Sequence, residues 1–308
     1  MIPYILKRVL QSIPVFLFII TAVWGMVRLA PGGPFDRERP ASPETIAALN
    51  AYYGLDKPVY VQYFNFLKNL ARGDLGPSYK YNGWGVSEIL AEKAAVSLQL
   101  GGVALLIAVF AGVGLGILAA AFGRGALGAS LAAVSLAGVC LPSMVVGPVL
   151  ILLFSLKFKV FNAMGWNCAG DIVLPAITLA IFYMAWIARL TRSGVVDEIN
   201  KAYVKTARAK GVSETKIFCA HILRNALQPV VSYLGPAAAG LLTGSFVVES
   251  SFQIPGLGKF FVSSALDNDY TMILGCVMLY AAFILFFNLL SDIALAALNP
   301  KIAREFKK

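Results

Sequence analysis

Six apolar runs alternate with polar segments along the chain, at residues 9–29, 96–122, 131–156, 172–187, 229–248 and 271–298. A helix rises 1.5 Å per residue, so about twenty apolar residues cross the ~30 Å hydrocarbon core of a bilayer. The pattern predicts an all-α polytopic membrane protein with six transmembrane helices. Pro14 is expected to separate an interfacial first turn, with Tyr4, Lys7 and Arg8, from the first span, and Arg28 to snorkel at that span's far end. Gly112, Gly114 and Gly116 predict close helix packing in the second span. Pro142 and Pro148 predict a bend in the third, and Gly240 and Gly244 give the fifth a small-residue face.

Residues 31–95 are punctuated by Pro and Gly, rich in aromatics, charged with both signs, and too long for a mere connection. Short helices are expected at 43–55, with Ser42 as cap, and at 58–71, with Tyr60, Tyr63, Phe64 and Leu67 on one face. This segment reads as a small ordered subdomain. Residues 249–270 read as a loop in which Pro255, Gly256 and Gly258 mark a tight turn, and Glu249, Asp267 and Asp269 as loop carboxylates.

Residues 189–228 are a polar island. It holds Arg189, Arg192, Lys201, Lys205, Arg208, Lys210, Lys216 and Arg224 against Asp197, Glu198 and Glu214. A basic residue at a bilayer centre costs about 2.5–3.5 kcal/mol, so the island lies outside the membrane. Asp197 and Glu198 are expected to open a helix that Lys205, Arg208 and Lys210 close. Gly211 is placed as a left-handed stop, and Ser213 as the cap of a second helix beginning at Glu214. The resulting helix, turn and helix shows Tyr203, Val204 and Ala207 as a small apolar face, either an interfacial loop or a knob for a partner's groove.

Charge then orients the chain. Six spans put both termini and the island on one side, where Lys7, Arg8, Arg124, the island's bases, Lys301, Arg304, Lys307 and Lys308 face only Asp197, Glu198, Glu214 and Glu305. The excess of bases places that side in the cytoplasm and residues 31–95 outside it. The net charge of +10 therefore reflects topology, and no nucleic-acid partner is expected. The chain divides into an N-terminal elbow and first helix (1–30), an extracytoplasmic subdomain (31–95), a five-helix core containing the island (96–298) and a cytoplasmic tail (299–308).

Candidate chemistry is sparse. The single His221 excludes paired-histidine metal sites, and no GxSxG or CxxC occurs. Gly123, Gly128 and Ser130 match a phosphate loop except that Ala129 stands where its lysine must be, so this stretch reads as a turn. Cys140, Cys168, Cys219 and Cys276 read as free thiols. Asp292, one turn after Asn288 in the last span, must face the bundle and find a partner; alone it makes no proton relay. No catalytic residue, metal or cofactor is expected in this chain.

The stretch KTARAKG from Lys205, followed by HIL at His221, resembles the EAA loop of ABC-importer permeases: Glu-Ala-Ala, three residues, Gly, nine residues, Ile-x-Leu-Pro. Ala207, Gly211 and Leu223 match; Lys205, Thr206, His221 and Arg224 depart, toward the form seen in the oligopeptide/dipeptide permease family. LKRVLQSIPV, RLAPGGPF, GLDKPVYVQYFNFLKNLARGDLGPSY, VVESSFQIPGLG, DNDYTMILG and NLLSDIALAALNPK extend the resemblance over essentially the whole chain. It is closest to the first of two permease subunits, the one with a large outer segment after its first helix. The resemblance implies a type I ABC-importer permease fold in a bacterial inner membrane. It further implies a second homologous permease, two cytoplasmic ATPases that bind ATP and Mg, and an extracytoplasmic peptide-binding protein. It assigns Tyr203, Thr206, Ala207, Arg208, Lys210, Gly211, Val212, Ser213 and His221 to the loop that couples to the ATPases. Transport of nickel or another small solute stays open within that family. A self-sufficient secondary transporter stays open outside it, although the sequence shows neither inverted repeats nor buried relay charges.

Overall fold

A computed structural model describes residues 2–29, 43–81, 83–123 and 125–298. The expected Ser42 cap, Arg124 and the tail from residue 299 lie outside the described residues. The regular structure described is helical, apart from one isolated bridge between Pro77 and Gly85. Five helices are long and apolar enough to cross a membrane, or six if one sharply bent pair counts as a span.

Helix α1 (Ile2–Leu29) runs through Pro14 without a break, so the separate interfacial turn expected there does not form. A proline removes one backbone bond, and α1 is held along α14 (Tyr270–Leu298), where Arg8 Nε lies 3.2 Å from Asp292 Oδ2. Arg28 stacks over Trp24 at 5.1 Å from the ring centroid. Helices α2 (Pro43–Tyr52) and α3 (Val59–Leu70) follow at the far end of α1. The expected aromatic face of α3 divides: Tyr63 turns to α1, its hydroxyl 2.6 Å from that of Thr21 and its ring 5.1 Å from Trp24, while Tyr60 and Phe64 are exposed.

Helix α4 (Val86–Ala121) begins well upstream of its apolar run. Its small residues set how closely other helices approach. A Cβ on Gly101 would lie 2.3 Å from the Leu241 carbonyl oxygen, one on Gly112 2.8 Å from that of Met184, and one on Gly116 2.5 Å from Thr191 Cβ. Without a hydrophobic drive between helices in lipid, this backbone proximity is the source of their attraction. Leu100, Ala104 and Ala108 of α4 form the core with Leu174, Leu179 and Ile187 of α7 (Val173–Ile199).

The third apolar run bends sharply, as its prolines predict. Helix α5 (Ala126–Cys140) turns by 106° at Leu141 and Pro142 into α6 (Ser143–Leu150), which continues as a π-helical turn, Ile151–Lys157. Pro142 has no N–H to continue the ladder; Pro148 sits inside α6 without breaking it. Helix α7 is longer than its apolar run predicts, continuing past residue 187 into the island.

The island contains α8 (Ala202–Ala209), α9 (Glu214–Lys216), a π-helical turn (Ile217–Leu223) and α10 (Arg224–Ala226). After it come α11 (Gln228–Leu242), α12 (Phe246–Ser251), α13 (Leu257–Leu266) and α14. The fifth run is interrupted between α11 and α12, where Gly244 takes φ +88°. Two of the expected loop carboxylates are interior groups. Glu249, 0% exposed, accepts from Ser97 Oγ at 2.8 Å and the Lys259 amide at 2.9 Å, and Ser97 Oγ accepts from the Leu257 amide at 2.8 Å. Asp269, 1% exposed, accepts from the Ser78 hydroxyl and the Tyr79 and Met272 amides, which ties residues 78–80 to the start of α14. Asp267 pairs with Lys80.

Candidate coupling site

The island folds on a small core of its own. Val204 of α8 and Ile217 are 0% exposed and pack with Val195 of α7, Ile222 and Ala226, with Ala207, Val212 and Phe218 at the margin. The expected apolar face of α8 is therefore spent internally: Val204 points into this core, Ala207 is half-buried beside it, and only Tyr203 stays exposed.

Gly211 is the turn. It takes φ +74°, a region that L side chains rarely adopt. Its N–H bonds the Arg208 carbonyl at 2.9 Å, and the Val212 N–H bonds that of Ala207 at 3.2 Å. These are the 5→2 and 6→1 bonds of a Schellman motif, which satisfies carbonyls that the end of α8 would leave unpaired. Ser213 holds the N-cap position before Glu214, but its hydroxyl makes no capping bond; its carbonyl accepts from Ile217 at 2.9 Å. A charged pair bridges the turn instead: Arg208 Nε and Nη2 donate to Glu214 Oε1 and Oε2 at 2.8 and 3.1 Å. This bond holds the Glu214 carboxyl below its ordinary value. Thr206, Arg208, Lys210, Gly211 and Ser213 are exposed around the turn and form the rim of a knob.

Asp197 and Glu198 close α7; they do not open α8, whose N-cap is Lys201. The expected helix start fails because α7 continues through both acids, and Glu198 is held by bonds to residues just after it. Glu198 Oε1 pairs with Lys201 Nζ at 2.9 Å, raising the lysine's pKa, and Glu198 Oε2 accepts from the Tyr203 hydroxyl. That hydroxyl also lies 3.2 Å from the His221 carbonyl and receives the Asn225 amide at 3.1 Å. Burial, and then the bond to Glu198, raise the Tyr203 pKa. Tyr203 thus knots α7, α8 and the π-helical turn together. His221 itself is exposed, its backbone and not its imidazole serving the knot.

The knob is seated on the bundle by contacts without slack. A Cβ on Gly194 of α7 would meet the Ala226 carbonyl oxygen of α10 at 2.3 Å. Arg224 Nη2 donates to the Leu298 carbonyl at 3.2 Å, reaching the end of α14. Asn288 and Asp292 do not bond each other among the described contacts. Asn288 lies against Gly235 of α11, where a Cβ would sit 2.8 Å from its Oδ1; the Ser291 hydroxyl donates to the Val231 carbonyl; and Asp292 pairs with Arg8. Sequence reading missed Gly194, Glu214's role, Asn225 and Arg8. Only Glu214, six residues from Arg208 across a glycine stop, left a local signal. No cluster that could hold a metal occurs among the described residues.

A helical bundle whose spanning helices carry a helix–turn–helix island at one end is the architecture of an ABC-importer permease. Residues 112–304 match the model of the binding-protein-dependent transport system inner membrane component, and residues 1–82 its N-terminal counterpart. The chain belongs to that family. It is 42% identical to the oligopeptide transport system permease protein OppB of Haemophilus influenzae, over 98% of this chain and 99% of the relative. Against the dipeptide transport system permease protein DppB of Bacillus subtilis it is 39% identical, over 97% of each. Among solved structures, the inward-facing MetNI methionine ABC transporter matches with a TM-score of 0.55 at 16% identity, covering 68% of this chain and 96% of that one. An amino acid ABC transporter matches at 0.50 and 18%, covering 70% and 94%. These two establish the type I importer permease fold.

Proposed function

We propose that this chain is the permease subunit of an ATP-driven importer that moves oligopeptides or dipeptides into the cytoplasm by alternating access. The observation that carries the reading is a rigid knob with an exposed rim, seated on a spanning helix through Gly194 and Ala226. The subunit itself is no enzyme and binds no cofactor. Two cytoplasmic ATPases dock on the knob and bind ATP and Mg, a second homologous permease completes the pathway as a heterodimer, and an extracytoplasmic binding protein delivers peptide. The excess of bases supports cytoplasmic termini and a cytoplasmic island in a bacterial inner membrane, with residues 31–95 on the outer side.

Closure of the ATPases moves the rim formed by Thr206, Arg208, Lys210 and Ser213. The Arg208–Glu214 pair and the Schellman bonds keep the turn from yielding, so the displacement passes along the rod from Glu214 to Ala226. Ala226 bears on α7, and α7 bears on α4 at Gly112 and Gly116. Arg224 carries a second branch to the end of α14. Packed helices shift between discrete arrangements and do not deform continuously, and such a lever can switch which side of the bundle is open.

Reconstitution in vesicles tests this. The chain with its second permease, ATPases and binding protein should accumulate peptide only when ATP is present. Uptake by the chain alone on an ion gradient would establish a secondary transporter. Accumulation of Ni²⁺ and not peptide would overturn the substrate.

A further inference from the structure

The two interruptions of the spanning helices meet at one cavity. The break at Leu141 and Pro142 and the break at Gly244 both line a space of about 460 Å³, with residues 178–183 of α7 as a third wall. Those wall residues begin nine positions into the helical stretch Ala169–Ile199. At 1.5 Å per residue that is roughly 13–21 Å deep, near the middle of a ~30 Å hydrocarbon core.

Lipid offers no hydrogen bonds, so irregular backbone at this depth is stable only where it is buried in protein or lines a cavity. Here polar groups are left over. Among the described hydrogen bonds none reaches the carbonyls of Gly138, Val139 or Cys140, because Pro142 has no N–H and α6 starts in a new direction. The hydroxyls of Ser143 and Tyr183, both on the wall, also make no hydrogen bond among the described residues. Tyr183 reaches the wall because residue 240 is glycine: a Cβ there would lie 2.4 Å from the tyrosine oxygen. None of the lining residues is charged.

We propose that this cavity is a peptide-backbone site on the translocation path, in which the released carbonyls of Val139 and Cys140 and the Ser143 and Tyr183 hydroxyls hydrogen-bond the main chain of the cargo. The proposal rests on the transport reading above and names where that cargo is held. A peptide presents one N–H donor and one C=O acceptor per residue whatever its side chains. A wall of acceptors and hydroxyls answers both. An uncharged lining rejects no side chain by repulsion, and its apolar remainder, such as Val146 and Phe182, accommodates varied ones. Recognition here follows the backbone and ignores side-chain charge.

Cys140 supplies the reporter, since it lies on the wall and is exposed. The complete transporter is prepared with Cys168→Ala, Cys219→Ala and Cys276→Ala, and treated with a small maleimide. Cys140 should react, the adduct should block uptake, and transported tripeptides that are neutral, acidic or basic should protect it equally. Tyr183→Phe and Gly240→Ala should each raise the KM for peptide uptake about fivefold or more, the worth of one hydrogen bond. If wild type accumulates peptide while Cys140 is inert, the neighbouring subunit fills the cavity and the site is overturned; an adduct that leaves uptake unchanged overturns it as well. Protection that depends on cargo charge overturns backbone recognition. If the complete wild-type transporter accumulates no peptide, it is the transport reading that falls.

Discussion

Gly194 of α7 and Ala226 of α10 touch backbone to backbone, with a carbonyl oxygen occupying the place where a side chain would begin. The contact is the seam between the island and the bundle, and it predicts its own sensitivity. Gly194→Ala puts a methyl group 2.3 Å from that oxygen, so the rod must move. Overpacking of this kind costs about 1–3 kcal/mol, and about 1.4 kcal/mol is tenfold in an equilibrium. The variant should insert normally and lose about tenfold in substrate-stimulated ATP hydrolysis by the assembled transporter. Normal stimulation would remove the seam from the coupling path.

Gly211 requires glycine for a different reason. A Cβ there meets open space, and only the positive φ excludes side chains. Gly211→Val, with a branched side chain in a left-handed conformation costing about 1–2 kcal/mol, should lower stimulated ATP hydrolysis about tenfold while the protein still inserts. Gly211→Asn, which tolerates that conformation, should retain most of it. Equal loss in both variants would assign the effect to contact with a partner and not to the turn.

The Arg208–Glu214 bridge gives the same turn a pH dependence. A carboxyl whose folded pKa is depressed contributes stability that is present above its unfolded value and lost as pH falls through the folded one. The Glu214 carboxyl is shifted downward by its bond to Arg208. Amide exchange at residues 211–213, corrected for intrinsic rate, should be faster in Glu214→Gln than in wild type at neutral pH. The two should converge in acid below the carboxylate range. A difference that survives at low pH would mean that the bridge does not hold the turn.

What sequence could show follows from where the information lies. The apolar runs were legible because lipid demands every span be apolar. Gly211 was legible because a stop at the end of a basic helix is a local feature. The length of α7 was not: Arg189 ended the hydropathy signal, but a helix continues through arginine, and Arg189 stacks on Trp186 at 5.1 Å. Asp197 and Glu198 belong to the end of α7 and not to the start of α8, because α7 runs on past the apolar signal, and Glu198 bonds forward to Lys201 and Tyr203 from there. The bend after Cys140 was legible from Pro142, but its angle and its meeting with the break at Gly244 exist only in three dimensions.

Arg8 and Asp292 illustrate the same limit and yield a further prediction. The pair joins the first and last spanning helices, partly exposed at 37% and 25%. Exposure reduces its worth to about 1 kcal/mol or less. A double-mutant cycle of Arg8→Gln and Asp292→Asn, read by thermal unfolding in detergent, should give a coupling energy of that order, each single change costing more than the pair together implies. Strict additivity would show that the two side chains do not interact in the folded protein.

The carboxylate of Glu249 should matter far more. It is fully enclosed, and both its oxygens are used: Oε1 by Ser97 and Oε2 by the Lys259 amide at the start of α13. The enclosure is tight, since a Cβ on Gly244 would lie 2.4 Å from Oε1 and one on Gly256 2.5 Å from it. Glu249→Ala would leave the Lys259 amide and the Ser97 hydroxyl buried without an acceptor, at about 1–3 kcal/mol for each unsatisfied group. Ser97→Ala removes one donor to the carboxylate and the acceptor of the Leu257 amide, and should cost less because Lys259 still holds Glu249. The expected order of unfolding midpoints is wild type, then Ser97→Ala, then Glu249→Ala. In the double variant the loss should fall short of the sum, because the Ser97 hydroxyl left unpaired by Glu249→Ala is itself removed. If the two losses simply add, Ser97 and Glu249 act independently, and the clasp between α4 and the loop before α13 is not a single unit.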